Sequence, residues 1–441
     1  MYFKIAKGNV EKSFKDYTIY FLTLVIAVCI FYAFNAIETQ LSMFNLGPLA
    51  KLYLSIVQEM ITFFSIFVSI ILASLMLYAN KFLIKRRKKE LAIYMILGMS
   101  KKKISKILLL ETITVSILSL VIGIVIGICL SQGLLVLTTK LFLFKISNFN
   151  FIISSFSILK TITYFIFIYL IVVIFNMRVI SKYSLLELIT AEKKNEKLKI
   201  KNPKILCLVN VIGIITLLIS YIILIFDRFK SINLKLSLTL EIIGTFLFFI
   251  GLSGLLEFFF SKNEKFYYKD LNMFIIKQIT SKINTNIISI TLTSIMLFFT
   301  IIECVSGASY RIANGTIHSM IQSVINVYIN IYLGCIFLLI AVSILALQQL
   351  SDASDNVKKY IALKKIGVNN KMINQVVFKQ LIIYFIAPFI IAIINSIFFI
   401  YFIKQVGIFE IATYVIIFIT LIYILYFYLT FSSIKTIINK K

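Results

Sequence analysis

The chain has 441 residues, of which 60% are hydrophobic, 14% charged and only 3 proline, with a mean hydropathy of +1.00 and a net charge of +27. A soluble fold of this length has too little interior to hide so much apolar surface, so a water-soluble enzyme or binding module is excluded and an all-α polytopic membrane protein is implied. No basic patch belongs to a soluble domain, so nucleic acid is not expected as a partner.

A helix needs about 20 apolar residues to cross the hydrocarbon layer. Ten runs qualify, centred near residues 27, 72, 121, 168, 215, 250, 294, 339, 390 and 421. In chain order they read as four spans (1–200), two spans (201–262) and four spans (263–441). Residues 1–17 are basic and polar, and the run behind them is long enough to remain as a span, so no cleaved signal peptide is expected.

Between the second and third spans, Lys85–Thr112 reads KRRKKELAIYMILGMSKKKISKILLLET. Leu91, Ala92, Met95 and Ile96 make an apolar stripe at helical spacing. Gly98 is placed to close that helix in the left-handed conformation, and Ser100 to cap the next. The expectation is a short amphipathic helix, 88–98, lying across the membrane surface and turning sharply into span three. The run Lys85–Lys89 reads as an anchor for topology.

Span three carries Ser119, Gly123, Gly127 and Ser131 at four-residue steps. Small residues on one stripe let two helix backbones approach closely where lipid removes the hydrophobic drive. A fixed packing face and a sliding surface both fit that pattern. Span four leads into Ser181–Lys199, amphipathic and then strongly charged, which with Pro203 behind it reads as a linker on the membrane face.

The third block opens with an amphipathic stretch, 269–286. After span eight, residues 357–380 (VKKYIALKKIGVNNKMINQVVFKQ) repeat the earlier device 269 positions later: Gly367 falls on Gly98, Lys371 on Lys102, Ile373 on Ile104, and Asn369 takes the place of Ser100. Two copies of a helix, glycine and capped helix argue for a duplicated module. The outer loop between spans seven and eight, 305–327, is short and holds the sole histidine, His318, which reads as a surface side chain. Pro388 in span nine is expected to bend it.

Ionisable residues within spans are costly and so are functional candidates. Glu111, Glu257 and Glu303 lie near span ends, close enough to snorkel or to pair with a basic neighbour, Glu303 with Arg311. The cysteines Cys29, Cys129, Cys207, Cys304 and Cys335 show no CxxC spacing and read as packing residues. There is no G-x-x-x-x-G-K-[ST] loop, no metal-ligand cluster and no nucleophile arrangement. The chain is therefore not expected to be an enzyme, and its energy must come from a partner.

Orientation follows from charge. With the N-terminus inside, the inner segments hold 36 of the 45 Lys and Arg. Both termini and both modules are then expected in the cytoplasm, with the charge serving topology and anionic lipid.

The stretches KKELAIYMILGMSKKKISKILLLE (88–111), FIIKQITSKINTN (274–286) and ILALQQLSDASDNVKKYIALKKIGVNNKMINQ (344–375) resemble the FtsX-like permease subunits of peptide-antibiotic ABC transporters of the bacitracin-resistance type. The resemblance implies two FtsX-like four-span blocks in a bacterial cytoplasmic membrane, with coupling helices at 88–98 and 359–367. It implies that Glu90, Leu91, Tyr94, Met95 and Gly98 in the first, and Tyr360, Leu363, Lys364, Lys365 and Gly367 in the second, dock two copies of a separate ATP-binding subunit. ATP and Mg would be bound on that partner, with no cofactor in this chain. The substrate implied is an amphiphilic peptide or lipid-linked target, handled to give resistance or immunity. The family usually carries a large extracellular domain between spans seven and eight, and here 306–326 stands in its place; a second permease could supply one. The alternative reading is a sensory protein that relays ATPase motion to a histidine kinase or a cell-wall enzyme without translocation. An ion-coupled carrier would need ionisable residues near the midplane and discontinuous helices.

Overall fold

The computed structural model describes residues 8–9, 14–41, 48–141, 151, 153–182, 203–226, 231–262, 264–268, 271–312, 317–403 and 408–439. Those residues form helices and no strand. In lipid every backbone N–H and C=O must be satisfied internally, and a helix does this within one segment. In order they are α1 Phe14–Leu41, α2 Pro48–Ile96, α3 Lys101–Leu141, α4 Ser155–Lys182, α5 Pro203–Phe226, α6 Ser231–Lys262, α7 Glu264–Tyr267, α8 Asn272–Thr285, α9 Ile287–Ile312, α10 Ile317–Lys365, α11 Asn370–Ile403 and α12 Ile408–Asn439. All but α7 and α8 contain a segment long and apolar enough to cross a membrane, which makes ten.

By packing, the chain divides into two units: Met1–Asn195 with Asn314–Tyr332, and Glu196–Ala313 with Leu333–Lys441. Spans five and six thus belong with the second unit. In the first unit α1 is the centre, with Tyr20, Tyr32, Phe34 and Ile37 fully buried. Tyr328 at the start of α10 donates to Gln40 Oε1 at 2.7 Å, and Tyr332 to the Ala33 carbonyl at 2.8 Å. An amide pair, Asn80 with Asn176, ties α2 to α4. The outward face of α4, with Phe156, Leu159 and Phe167, is exposed as a lipid-facing surface would be.

In the second unit α9 takes the central place, and its Ser294 hydroxyl donates to the carbonyl of Pro388 at 3.0 Å. Helix α11 runs on through that proline. The α5–α6 pair is held by Asn210, whose amide donates to the Phe248 carbonyl at 2.8 Å, and by the facing hydroxyls of Ser220 and Ser237 at 2.9 Å. Tyr221 bonds Asn395 and stacks on Phe398 with ring centroids 4.0 Å apart.

Two expectations change. The amphipathic segment 88–98 is no separate surface helix but the last turns of α2, which runs unbroken for 49 residues; α10 does the same up to Lys365, also over 49. No glycine or proline interrupts 81–97 or 354–366, so nothing ends the span before the corner. The expected linker beyond Lys182, the loop residues 313–316, and the side chains of Glu257, Arg311 and His318 lie outside the described residues.

Candidate functional site

Each corner is built from the glycine outward. Gly98 has φ +84° and Gly367 φ +92°, a conformation that costs a residue with Cβ about 1–2 kcal/mol. The Gly98 N–H donates to Met95 O at 3.1 Å and the Met99 N–H to Tyr94 O at 3.0 Å; at the second corner Gly367 donates to Lys364 O at 3.0 Å and Val368 to Leu363 O at 3.1 Å. This doubled closure satisfies carbonyls that a helix end leaves open. The next helix starts at once. Lys103 and Ile104 donate to the Ser100 carbonyl at 3.0 and 3.1 Å, and Ile373 donates to the Asn369 carbonyl at 3.2 Å.

The residues expected to dock a partner divide into two sets. Leu91 is buried with Ala92 and Ile104 in a small core inside the first corner, overlaid by Tyr94, Met95 and Met99. Tyr360, its counterpart, is buried too and donates to Gln380 Oε1 at 3.1 Å; burial pushes its phenol above the ordinary range, so it stays a neutral donor. These two side chains hold the corners together from within. Glu90 is half-buried and pairs with Arg87 at 2.8 Å. Leu363 and Lys364 are half-buried, and Lys365, Gly98 and Gly367 are exposed.

What the corners present outward was not singled out by sequence. Leu97 is 73% exposed and Ile366 77%, each immediately before the glycine and 269 residues apart. Ile93 and Ile96 enlarge the first tip. A residue just ahead of a left-handed glycine projects from the turn, which is the signal that could have found them.

Beside the first corner lies a buried ionic cluster. Arg87 Nη1 donates to Tyr17 Oη at 2.8 Å, and Arg87 Nη2 meets Glu111 Oε1 at 3.1 Å. The Tyr17 hydroxyl donates to Glu111 Oε2 at 2.6 Å, and Asn9 Nδ2 donates to Glu111 Oε1 at 2.6 Å and Tyr94 Oη at 3.0 Å. Arg87, Glu111 and Tyr17 are all buried. Arg87 therefore departs from the run of solvated anchors to which it seemed to belong by sequence. It shares an i, i+4 stripe with Leu83 and Leu91, both buried, and that stripe carries it inward.

Ser119, Gly123, Gly127 and Ser131 are buried against α1. A Cβ on Gly123 would lie 2.7 Å from Val28 Cβ, and one on Gly127 3.0 Å from the Cys29 carbonyl oxygen. Ser119 Oγ reaches the Phe21 carbonyl at 3.4 Å, and Gln40 Nε2 donates to the Ser131 carbonyl at 3.1 Å. In the second unit the sequence reading passed over Glu241, which is buried. Its Oε1 has no hydrogen-bond partner and it borders a cavity of about 10 Å³ with Thr245 and Asn395.

The repeat that sets the corners also sets the match to known proteins. The family model FtsX-like permease C-terminal matches residues 62–185 and 331–440, more than half of the chain, and its two stretches begin at the same 269-residue spacing. The chain belongs to the FtsX-like permease family. It is similar to the bacitracin export permease protein BceB of Bacillus subtilis (strain 168), with 30% identity over 251 residues, covering 55% of this chain and 38% of that protein. BceB of Halalkalibacterium halodurans is 26% identical over 255 residues, again 55% and 38% of the two chains. An uncharacterized ABC transporter permease of B. subtilis, YvcS, is 27% identical over 200 residues, or 44% of this chain and 30% of that one. The matched region spans well under half the length of these relatives.

Proposed function

We propose that this chain is the membrane subunit of an ABC transporter that handles antimicrobial peptides or their lipid-linked targets, driven by a separate ATP-binding subunit at each of two corners. The observation that carries this reading is the repeat itself. Two glycine closures in one register each set a large apolar side chain, Leu97 or Ile366, at the tip, with Ile93 and Ile96 beside the first. Such a pair suits two identical grooves, hence two copies of the ATPase. The corners and both termini face the cytoplasm in this reading, as the distribution of Lys and Arg supports. The peptide part of this reading is supported by the bacitracin export printed in the names of the BceB relatives.

The chain's own part is mechanical. ATP and Mg sit on the partner, and the corners carry its movement into α3 and α11, the spans that follow each glycine without a break.

The test is co-purification in detergent with the ATPase encoded beside the gene, comparing wild type with Leu97→Glu, Ile366→Glu and charge reversal of Lys364 and Lys365. Each tip variant is expected to lower ATPase recovery about tenfold, equivalent to about 1.4 kcal/mol, while the permease stays monodisperse. Absence of ATPase binding to wild type under conditions where an established permease–ATPase pair survives would overturn the reading.

A further inference from the structure

Superposing the two repeats at their 269-residue spacing lays the ion pair of the first corner on two amides. Arg87 falls on Asn356, Glu111 on Gln380, and Asn9 on Gln278. In the second unit Gln380 Nε2 donates to Gln278 Oε1 at 2.6 Å, and Tyr360 donates to Gln380 from the other side at 3.1 Å. Asn356 turns back to the Asp352 carbonyl on its own helix at 2.8 Å. The bond from the segment before the first span of the repeat to the span after the corner is thus kept in both: Asn9 to Glu111, and Gln278 to Gln380.

What the first repeat adds is an Arg–Glu pair at these places; the counterpart of Tyr17 is Asn286, whose amide donates to Asp352 Oδ2 on α10 at 3.1 Å. Arg87 on α2 and Glu111 on α3 pair directly, and Tyr17 on α1 bonds both. Hydrogen bonds that carry an ionised donor or acceptor are roughly twice as strong as neutral ones. Removing one member of a buried pair strands its partner, so the members hold or fail together.

We propose that Arg87, Glu111 and Tyr17 are positioning residues that lock the first corner to α1, so that displacement at Gly98 moves α1, α2 and α3 as one body, whereas the second corner, where Asn356 and Gln380 stand in the places of Arg87 and Glu111, shifts against α9. The proposal rests on the docking reading above. It goes further in making the two corners unequal.

The test uses the permease–ATPase complex in lipid nanodiscs, on a background with the cysteines replaced. Spin labels are placed at Lys106 and Leu22 in the first unit and at the counterpart Gln375 and Ile288 in the second, all exposed positions. Adding a non-hydrolysable ATP analogue is expected to leave the first distance distribution unchanged and to shift the second beyond its nucleotide-free width. The variants are Glu111→Gln alone and the double change Arg87→Asn with Glu111→Gln, which copies the second repeat at these two positions. The single change should lower the thermal midpoint by several degrees, and the double change should recover most of that loss. In the double variant the first distance should now shift with nucleotide although ATPase recovery is unchanged. If the double variant does not fold, Arg87→Lys replaces it; it keeps the charge but cannot span Tyr17, Glu90 and Glu111 together, and should give a partial shift. A wild-type first distance that moves as far as the second, or one that stays fixed in the variants, overturns the lock. Failure of the ATPase to co-purify is seen before any distance is read, and removes the docking reading together with this proposal.

Discussion

At Gly98 and Gly367 a Cβ would meet nothing within 4 Å, yet the backbone stands at φ +84° and +92°. At Gly251 the torsions are those of an ordinary helix, yet a Cβ would lie 2.3 Å from Asn210 Cβ and 2.5 Å from its backbone nitrogen. The corners need glycine for its torsion and the seams between spans need it for room. The two needs call for opposite replacements. Asparagine, which tolerates the left-handed region, suits a corner and would wreck a seam.

The largest effect is expected at the tightest seam. Gly251→Ala puts a methyl group into the backbone of α5, so the two helices must separate along their whole contact. Loss of monodisperse protein in size-exclusion chromatography is the expected outcome, with the Asn210–Phe248 bond broken. A well-folded Gly251→Ala protein would mean that α5 and α6 pack less closely than described. Gly123→Ala should be milder, because its contacts are the Val28 side chain at 2.7 Å and the Val25 carbonyl at 3.0 Å. Overpacking of this kind costs about 1–3 kcal/mol, read as a lower midpoint of thermal unfolding in detergent.

The corner comes next. Gly98→Ala should cost about 1–2 kcal/mol locally and Gly98→Val more, since a β-branched residue resists the left-handed region. Because the corner ends in open space, insertion and overall fold should survive while ATPase recovery falls, and Gly98→Asn should restore most of it. Equal behaviour of Val and Asn at this position would remove the torsion argument.

How much of this was legible beforehand follows the same division between local and distant causes. Spans and corners depend on hydropathy and on residues within a few positions of one another, so the ten runs and the glycine closures at Gly98 and Gly367 could be read directly. That α2 continues to Ile96 as one helix was also written locally, in the lack of any breaker, but the change from apolar to basic residues looked like a change of element. Arg87 was hidden among Lys85–Lys89 because composition counts charges and ignores the stripe on which each sits. Its partners Tyr17 and Glu111 lie on other helices, and no pattern within one helix points to them. The stripe Ser119 to Ser131 declared a packing face without naming its partner, and only the fold supplies Val28 and Cys29 of α1. Glu241 escaped notice for a like reason, since its neighbour Asn395 comes from a distant part of the chain.

The smallest expected effect tests the comparison most directly. Gly133 lies within α3, two positions past Ser131, is exposed, and would place a Cβ with nothing inside 4 Å. It has neither reason that the others have: its φ is not in the left-handed region and no neighbour crowds it. Glycine in a helix interior costs roughly 0.5–1 kcal/mol relative to alanine through the freedom it gives the unfolded chain. Gly133→Ala should therefore leave the thermal midpoint unchanged or raise it by a degree or two, with ATPase recovery intact. A fall in stability there would mean that some third requirement acts on α3, such as a lipid or a second protein seated against that face, and room and torsion would no longer account for the glycines of this chain.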